Sequence, residues 1–482
     1  MYKINFKTWN KSCMAGSLML LLLLTGCGGM KESALTGHQA IPEAFEGQTD
    51  TTQNGLSWKE LFSDQRLQEL IDTAMLHNYE MKTGLQRINV AEANLRLARS
   101  RQLPSVQADL SAGLDKFGKY TIDGVGNYDT NFSPNIDSKR NIPNPTGNFF
   151  AGFRSSWELD IWGKLNKRKQ AAFLRYLASK EGQRWYQTQL VSQVALLYFE
   201  LLTLDKEAHI LQQNIRLQEK GVEIIEAQLA GGRATALAVS QFRAQLMGTK
   251  GRAYEIRQSQ KETENELNTL MGRYPVKIAR DTNTLNVAIP QRLHMGLPST
   301  VLLSRPDIRE AELELKAAKA DIYAARKAML PALTLTAYSG YNAFKLPLLF
   351  SPGSLASGFL GGLTAPVLNR AAIKTEFSQA NSAQLNAYYN YQQKLLQGYQ
   401  EVSTQLSAMD NYHQAMLLKE RQVKELKEAL STANDLYLAG YASYLEVIVA
   451  QGSVLDAEVE FVRMKKASGT ALISLFRSIG GV

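Results

Sequence analysis

Cysteine is nearly absent: 482 residues hold two, Cys13 and Cys27. No disulfide framework stabilises such a chain. Long apolar runs are as scarce. The one that stands out ends at Leu20 through Leu24 and is shorter than the roughly 18 residues a spanning helix needs. Any membrane crossing by the rest of the chain must therefore be made by strands closed into a barrel. Catalytic patterns are missing too. His38, His77, His209, His294 and His413 share no metal-ligand spacing, and no Gly-rich phosphate loop runs into Lys-Ser/Thr. The methionines are scattered, which gives no support to a copper-export reading. These absences point away from an enzyme and from any cofactor or metal site. Charge is interspersed, with no basic block, so nucleic acid is a poor partner.

Proline is missing in a more informative way. Of thirteen, none lies between Thr146 and Tyr274, and none from Val367 onward. Both Pro-free runs are rich in Ala, Leu, Gln, Glu and Lys, strong helix formers. In the second, Leu395, Tyr399, Val402, Leu406, Met409, His413 and Met416 recur in steps of four and three. Val423, Leu426, Leu430, Ala433 and Tyr437 resume the pattern, a heptad-like seam for lengthwise packing. A helix from about Lys164 to Leu229 would be on the order of 100 Å long, which suits a tube or rod.

The N-terminus names the compartment. Lys3, Lys7 and Lys11 precede the apolar run, as in a secretory leader. The run closes on Leu24-Thr25-Gly26-Cys27, which resembles the bacterial lipobox, so Cys27 is the expected lipidation site. Gly28 follows, where Asp commonly retains such lipoproteins at the inner membrane; outer-membrane lipid is the expected partner. Losing three leader lysines and no acids takes the formal charge from +9 to +6.

The remainder repeats itself. Leu85 to Pro104 lies over Glu312 to Pro331 without a gap, an Ala-rich helix closed by Leu-Pro each time. Alternating residues follow, then a loop, a second strand and a Pro-free helical hairpin. The hairpins turn at Gly231-Gly232 and Gly440. The division expected is a leader, 1–26; a lipidated extension, 27–56; a first repeat, 57–275, with strands about 105–113 and 148–161; an equatorial connector, 276–305; and a second repeat, 306–482, with strands about 332–342 and 359–368. The first loop, about 115–147, reads as polar, rich in Asn, Asp, Gly and Pro. Four strands cannot close a barrel. Eight from two chains would leave an interior filled by side chains, whereas twelve from three leave a lumen. The fold class is mainly α with a membrane β-barrel.

Two segments carry a family resemblance. Trp157-Glu158-Leu159-Asp160-Ile161-Trp162-Gly163-Lys164 resembles the second-strand signature of the TolC-like outer-membrane factors. Arg305-Pro306-Asp307-Ile308-Arg309-Glu310-Ala311-Glu312 resembles their mid-chain signature in the NodT-type lipoprotein branch, which serves resistance-nodulation-division pumps, and Ile479-Gly480-Gly481 is similar to its ending. The resemblance implies a homotrimer, a 12-stranded barrel, a periplasmic helical tunnel, a membrane-fusion adaptor and an inner-membrane pump. It implies a periplasmic aperture at Leu445 and Glu446, with Tyr437 holding the closed state and the tips at Gly232 and Gly440 meeting the adaptor. Val449 and Ala238 depart from the family's acids there, leaving Glu446 as the ring's acid. Glu158, Asp160, Arg305 and Asp307 are expected to fix the junctions and the equatorial belt. Trp157 and Trp162 are expected near the periplasmic membrane interface. The Gly358 to Gly362 cluster suits close packing or a bend better than phosphate. Two other readings stay open: a duct for secreted protein or metal ions, and a periplasmic coiled-coil scaffold.

Overall fold

Local chemistry starts and stops each element. In the computed structural model, residues 32–35, 40–42, 45, 57–280, 299–365 and 370–481 are described. Cys27, the leader and positions 281–298 of the connector lie outside them. Asp64 opens α1 (Gln65–His77), its carboxylate accepting the Arg66 N–H at 2.8 Å. Asn78 opens α2 (Tyr79–Ser100) in the same manner, accepting from Glu80 and Met81 at 2.8 and 3.0 Å. Both use a short polar side chain to satisfy donors a helix start leaves free. Pro104, like Pro331 later, ends the helical run and hands over to a strand.

Four antiparallel strands pair in chain order: β1 (Ser105–Asp115), β2 (Thr146–Leu159), β3 (Ala332–Ala343) and β4 (Leu355–Thr364). Register sorts their side chains onto two faces. One face carries Val106, Leu110, Phe153, Leu335, Phe359 and Leu363, all apolar. The other carries Gln107, Asp109, Arg154, Thr334, Thr336 and Asn342. That alternation, apolar on lipid and polar on lumen, is the pattern of a transmembrane barrel. The outer edges of β1 and β4 have no partner strand within the chain, and lipid does not tolerate such edges.

Between β1 and β2 the chain forms α3 (Ile122–Asn131), capped by Thr121, which accepts the Gly124 N–H at 3.1 Å. This helix lies inside the polar loop read from the sequence: Gly124 and Gly126 hide it from propensity, whereas the Thr121 cap supports it. The last strand is also displaced, running Leu355–Thr364 against the expected 359–368. It starts directly after the Pro352–Ser354 turn, and positions 366–368 of the expected strand lie outside the described residues. Within the glycine cluster, Gly358 lies beneath the Tyr338 ring, where a Cβ would come within 2.4 Å, so close packing accounts for it.

Each strand pair is followed by a long hairpin. The first is α4 (Lys164–Ala230, 67 residues) with α5 (Ala236–Leu270, 35 residues). Its counterpart follows α6 (Pro306–Lys327) and the second strand pair: α7 (Arg370–Leu438, 69 residues) with α8 (Tyr444–Ser478, 35 residues). By contacts the chain forms two units. One, Met1–Gly37 with Asn94–Phe173 and Lys316–Tyr388, holds the strands and the adjoining helix ends. The other, His38–Ala93 with Leu174–Leu315 and Tyr389–Val482, holds the helical body. The main core lies in the second, where Leu67 and Ile71 pack with Val194, Tyr198, Leu202, Leu267, Val402 and Phe476. Leu395, Val402 and Met409 bury the upper seam of α7. Below it His413 is exposed, and Val423, Leu426, Leu430 and Ala433 are half-buried. No described helix is long and apolar enough to cross a membrane.

Candidate functional site

The two hairpins turn by the same geometry. Gly232 sits at φ +71° and Gly440 at φ +80°. The Gly232 N–H donates to Leu229 O at 3.0 Å and the Arg233 N–H to Gln228 O at 2.7 Å. At the second turn Gly440 donates to Tyr437 O at 3.1 Å and Tyr441 to Leu436 O at 2.9 Å. This closure needs a left-handed residue, which glycine supplies without a Cβ penalty. An added Cβ at either would meet nothing within 4 Å, so backbone angle and not space selects glycine. Gly272 and Gly480 close the return helices at φ +64° and +88°. Both pairs are 208 residues apart (232 to 440, 272 to 480), so the repeat is metrical.

The return helices begin differently. Thr235 accepts the Ala238 N–H at 3.2 Å. At the second tip Glu446 reaches back and accepts the backbone N–H of Ser443 in a capping box. The expected aperture acid thus also starts its own helix, a role legible in Ser443-Tyr444-Leu445-Glu446 through the S-x-x-E spacing. Leu445 is 51 % exposed beside it and Val449 59 %. The Tyr437 hydroxyl donates to the Gln228 side chain, and its ring packs on Ile225, Ala238, Val239 and Phe242 of the first hairpin. Gln228, 209 positions away, was invisible in the sequence because only tertiary packing brings it near. A 320 Å³ crevice between the hairpins is lined by Ile225, Phe242, Tyr437, Val447 and Gln451.

The second-strand signature builds a junction. Asp160 caps α4, accepting from Leu165 at 2.9 Å and Asn166 at 2.7 Å. Glu158 pairs with Lys164. The Trp157 indole donates to Gln102 O at 3.0 Å and Trp162 to Pro331 O at 2.7 Å. Each indole therefore ties β2 and its exit to the end of one Leu-Pro helix.

The mid-chain signature builds a buried charge centre in the helical unit. The Arg305 side chain is 1 % exposed. It donates to both Asp307 oxygens at 3.0 and 2.9 Å, to Glu401 at 2.9 Å and to Ser478 O at 2.8 Å. Its guanidinium carbon lies 4.9 Å from the Trp185 ring centroid. Burial works against the cation, but the Asp307 and Glu401 carboxylates outweigh it and hold the arginine above its ordinary pKa. Gly480 packs on it, an added Cβ falling 3.0 Å from the Arg305 Cα. A group so enclosed cannot line a solute path; it ties α6, α7 and the C-terminus together.

Known proteins share the fold. Residues 70–273 and 297–481 match the model of the family described as outer membrane efflux protein. The chain belongs to that family. It is similar to the cation efflux system protein CusC of Escherichia coli K12, 27 % identical over 479 residues that cover 97 % of this chain and 99 % of CusC. It is equally similar, over 424 residues, to the pyoverdine export outer membrane protein OpmQ of Pseudomonas putida (88 % and 87 % covered). A crystal structure of CusC superposes with a TM-score of 0.79 at 26 % identity, covering 94 % of this chain and all of that one. The open-state MtrE channel of Neisseria gonorrhoeae shares the fold at TM-score 0.77 and 23 % identity, covering 94 % and 98 %. This efflux protein is accordingly a TolC-like outer-membrane channel subunit of a tripartite pump. Three chains give four strands each to one barrel, continued by a helical tunnel in the periplasm that pairs with an adaptor and an inner-membrane pump. The open edges of β1 and β4 are thereby closed between chains. Channel transport is the family's activity.

Proposed function

We propose that this channel carries drugs or other small organic solutes for a resistance-nodulation-division pump, and that it exerts little choice among them and catalyses nothing. The observation that carries this reading is the polar lumenal face of the sheet on a frame shared with relatives of unlike cargo, cations for CusC and pyoverdine for OpmQ. Cation cargo is the second reading, favoured by the likeness to CusC along nearly the whole chain. Deleting the gene and profiling antibiotics, dyes, bile salts, copper and silver separates the two. Sensitisation to organic compounds with metal tolerance intact supports the first; sensitisation to metals alone overturns it.

The periplasmic aperture is assigned to Leu445 and Glu446, supported by their adjacent exposure on the first turn of α8. The Tyr437–Gln228 contact acts as the clasp of the resting state. Adaptor contact is assigned to the turns at Gly232 and Gly440, supported by their matched geometry. Cys27 carries the acyl anchor. The chain divides into a leader, 1–26, an extension, 27–56, and two repeats, 57–275 and 306–482, joined through 276–305; the constant spacing of paired turns supports this division.

A further inference from the structure

The lumenal face of the sheet holds one charge cluster at mid-height. Register places Gln107, Arg154, Tyr338 and Gly358 in one row across the four strands. The next row on that face is Asp109, Gly152, Gly340 and Ala356. Glycines dominate it for a steric reason: a Cβ at Gly152 would fall 2.5 Å from the Gly340 Cα and 3.0 Å from the Phe150 ring. Larger neighbours lean across the cleared strip. Phe150 is only 3 % exposed, although it lies on the face turned to water. Arg154 covers it, 4.7 Å from its centroid, and Tyr338 meets it edge-on at 6.2 Å. Arg154 also pairs with Asp109 at 2.5 Å. Beyond this pair, the described strands turn only Glu158, paired with Lys164, and the terminal Asp115 toward the lumen.

We propose that the Asp109–Arg154 pair, tripled by the trimer, is a charge-balanced ring that sets the ion selectivity of the barrel, independently of the periplasmic aperture. Asp109 and Phe150 hold each arginine flat against the wall, which keeps the lumen wide and the ring neutral. Arg154 neutralises three carboxylates that would otherwise attract cations and repel anions. A balanced ring passes solutes of either sign, as a duct for mixed cargo requires. Asp109 is a positioning residue for Arg154, and Arg154 is the residue that solutes meet.

The balance makes the two single variants move apart. Asp109→Asn releases three arginines and shifts permeability toward anions. Arg154→Gln bares three aspartates and shifts it toward cations. Three unpaired charges of one sign facing a shared lumen attract one ion and repel the other, so even when screened at 0.1 M salt they change the cation-to-anion ratio by about tenfold in each direction. The double variant restores the wild-type ratio within error. The measurement is the reversal potential of purified trimers in planar bilayers under a salt gradient, with the heat-modifiable band confirming assembly of each variant. Opposite shifts that cancel in the double variant establish the ring. Shifts of the same sign, or none in assembled trimers, overturn it, and neither result bears on the aperture at Leu445 and Glu446.

Discussion

Replacing Glu446 with glutamine tests the proposed aperture with little collateral damage, because its charge and its capping of α8 can be removed separately. Its carboxylate accepts the Ser443 N–H at the start of α8, and glutamine fills that place in a capping box as well as glutamate does. Glu446→Gln therefore removes charge and keeps the cap, whereas Glu446→Ala removes both and costs the helix start about 1 kcal/mol. Three carboxylates gathered at one narrow aperture would favour a cation by about 1 kcal/mol after screening at 0.1 M salt. Losing them should lower cation preference several-fold in planar-bilayer recordings, with the trimer band unchanged. Leu445 is half exposed, so Leu445→Ala leaves no cavity and should instead raise conductance by widening the constriction. Combining the two substitutions should give the most open resting channel. Wild-type conductance and selectivity in all three variants would place the gate elsewhere.

Arg305→Met leaves Asp307 buried without its cation, an expected loss of about 3–5 kcal/mol per protomer; thermal melting of the trimer should fall, and an unchanged melt would refute the buried-pair account. Gly232→Val with Gly440→Val forces a branched residue into a left-handed turn at about 1–2 kcal/mol each; crosslinking to the adaptor and efflux should weaken while trimers persist, and unaltered efflux would count against the tips as the docking site. Burial, aided by Glu314 and opposed by Lys394, raises the Glu310 carboxyl above its ordinary pKa. The fold thus favours the protonated form, and stability present at acid pH is lost as pH rises through that raised value. Glu310→Gln should melt higher than wild type at pH 7 and like wild type at pH 4; equal melts at both pH values would contradict the assignment.

Much of this molecule was settled by sequence alone. Pro-free runs located both long helices, since proline is the one residue a helix interior cannot hold, and the first was bounded nearly to the residue, about Lys164 to Leu229 against Lys164–Ala230. Alternation set three of the strands to within two residues, and Leu-Pro ended both connecting helices. Turn glycines were legible because few other residues accept their dihedral. The open-edged sheet already demanded several chains. Contacts between distant segments were the part that sequence left undetermined. Nothing in Tyr437 names Gln228, and nothing in Arg305 names Glu401, Ser478 or Trp185, because each partner arrives on another helix. Likewise, α3 depends on a capping threonine that outweighs two glycines, and β4 starts where a preceding turn releases it. Periodicity reports which side of an element is buried, and so it recovered the elements. Which side chain meets which depends on how those elements are packed, and that was decided only in three dimensions.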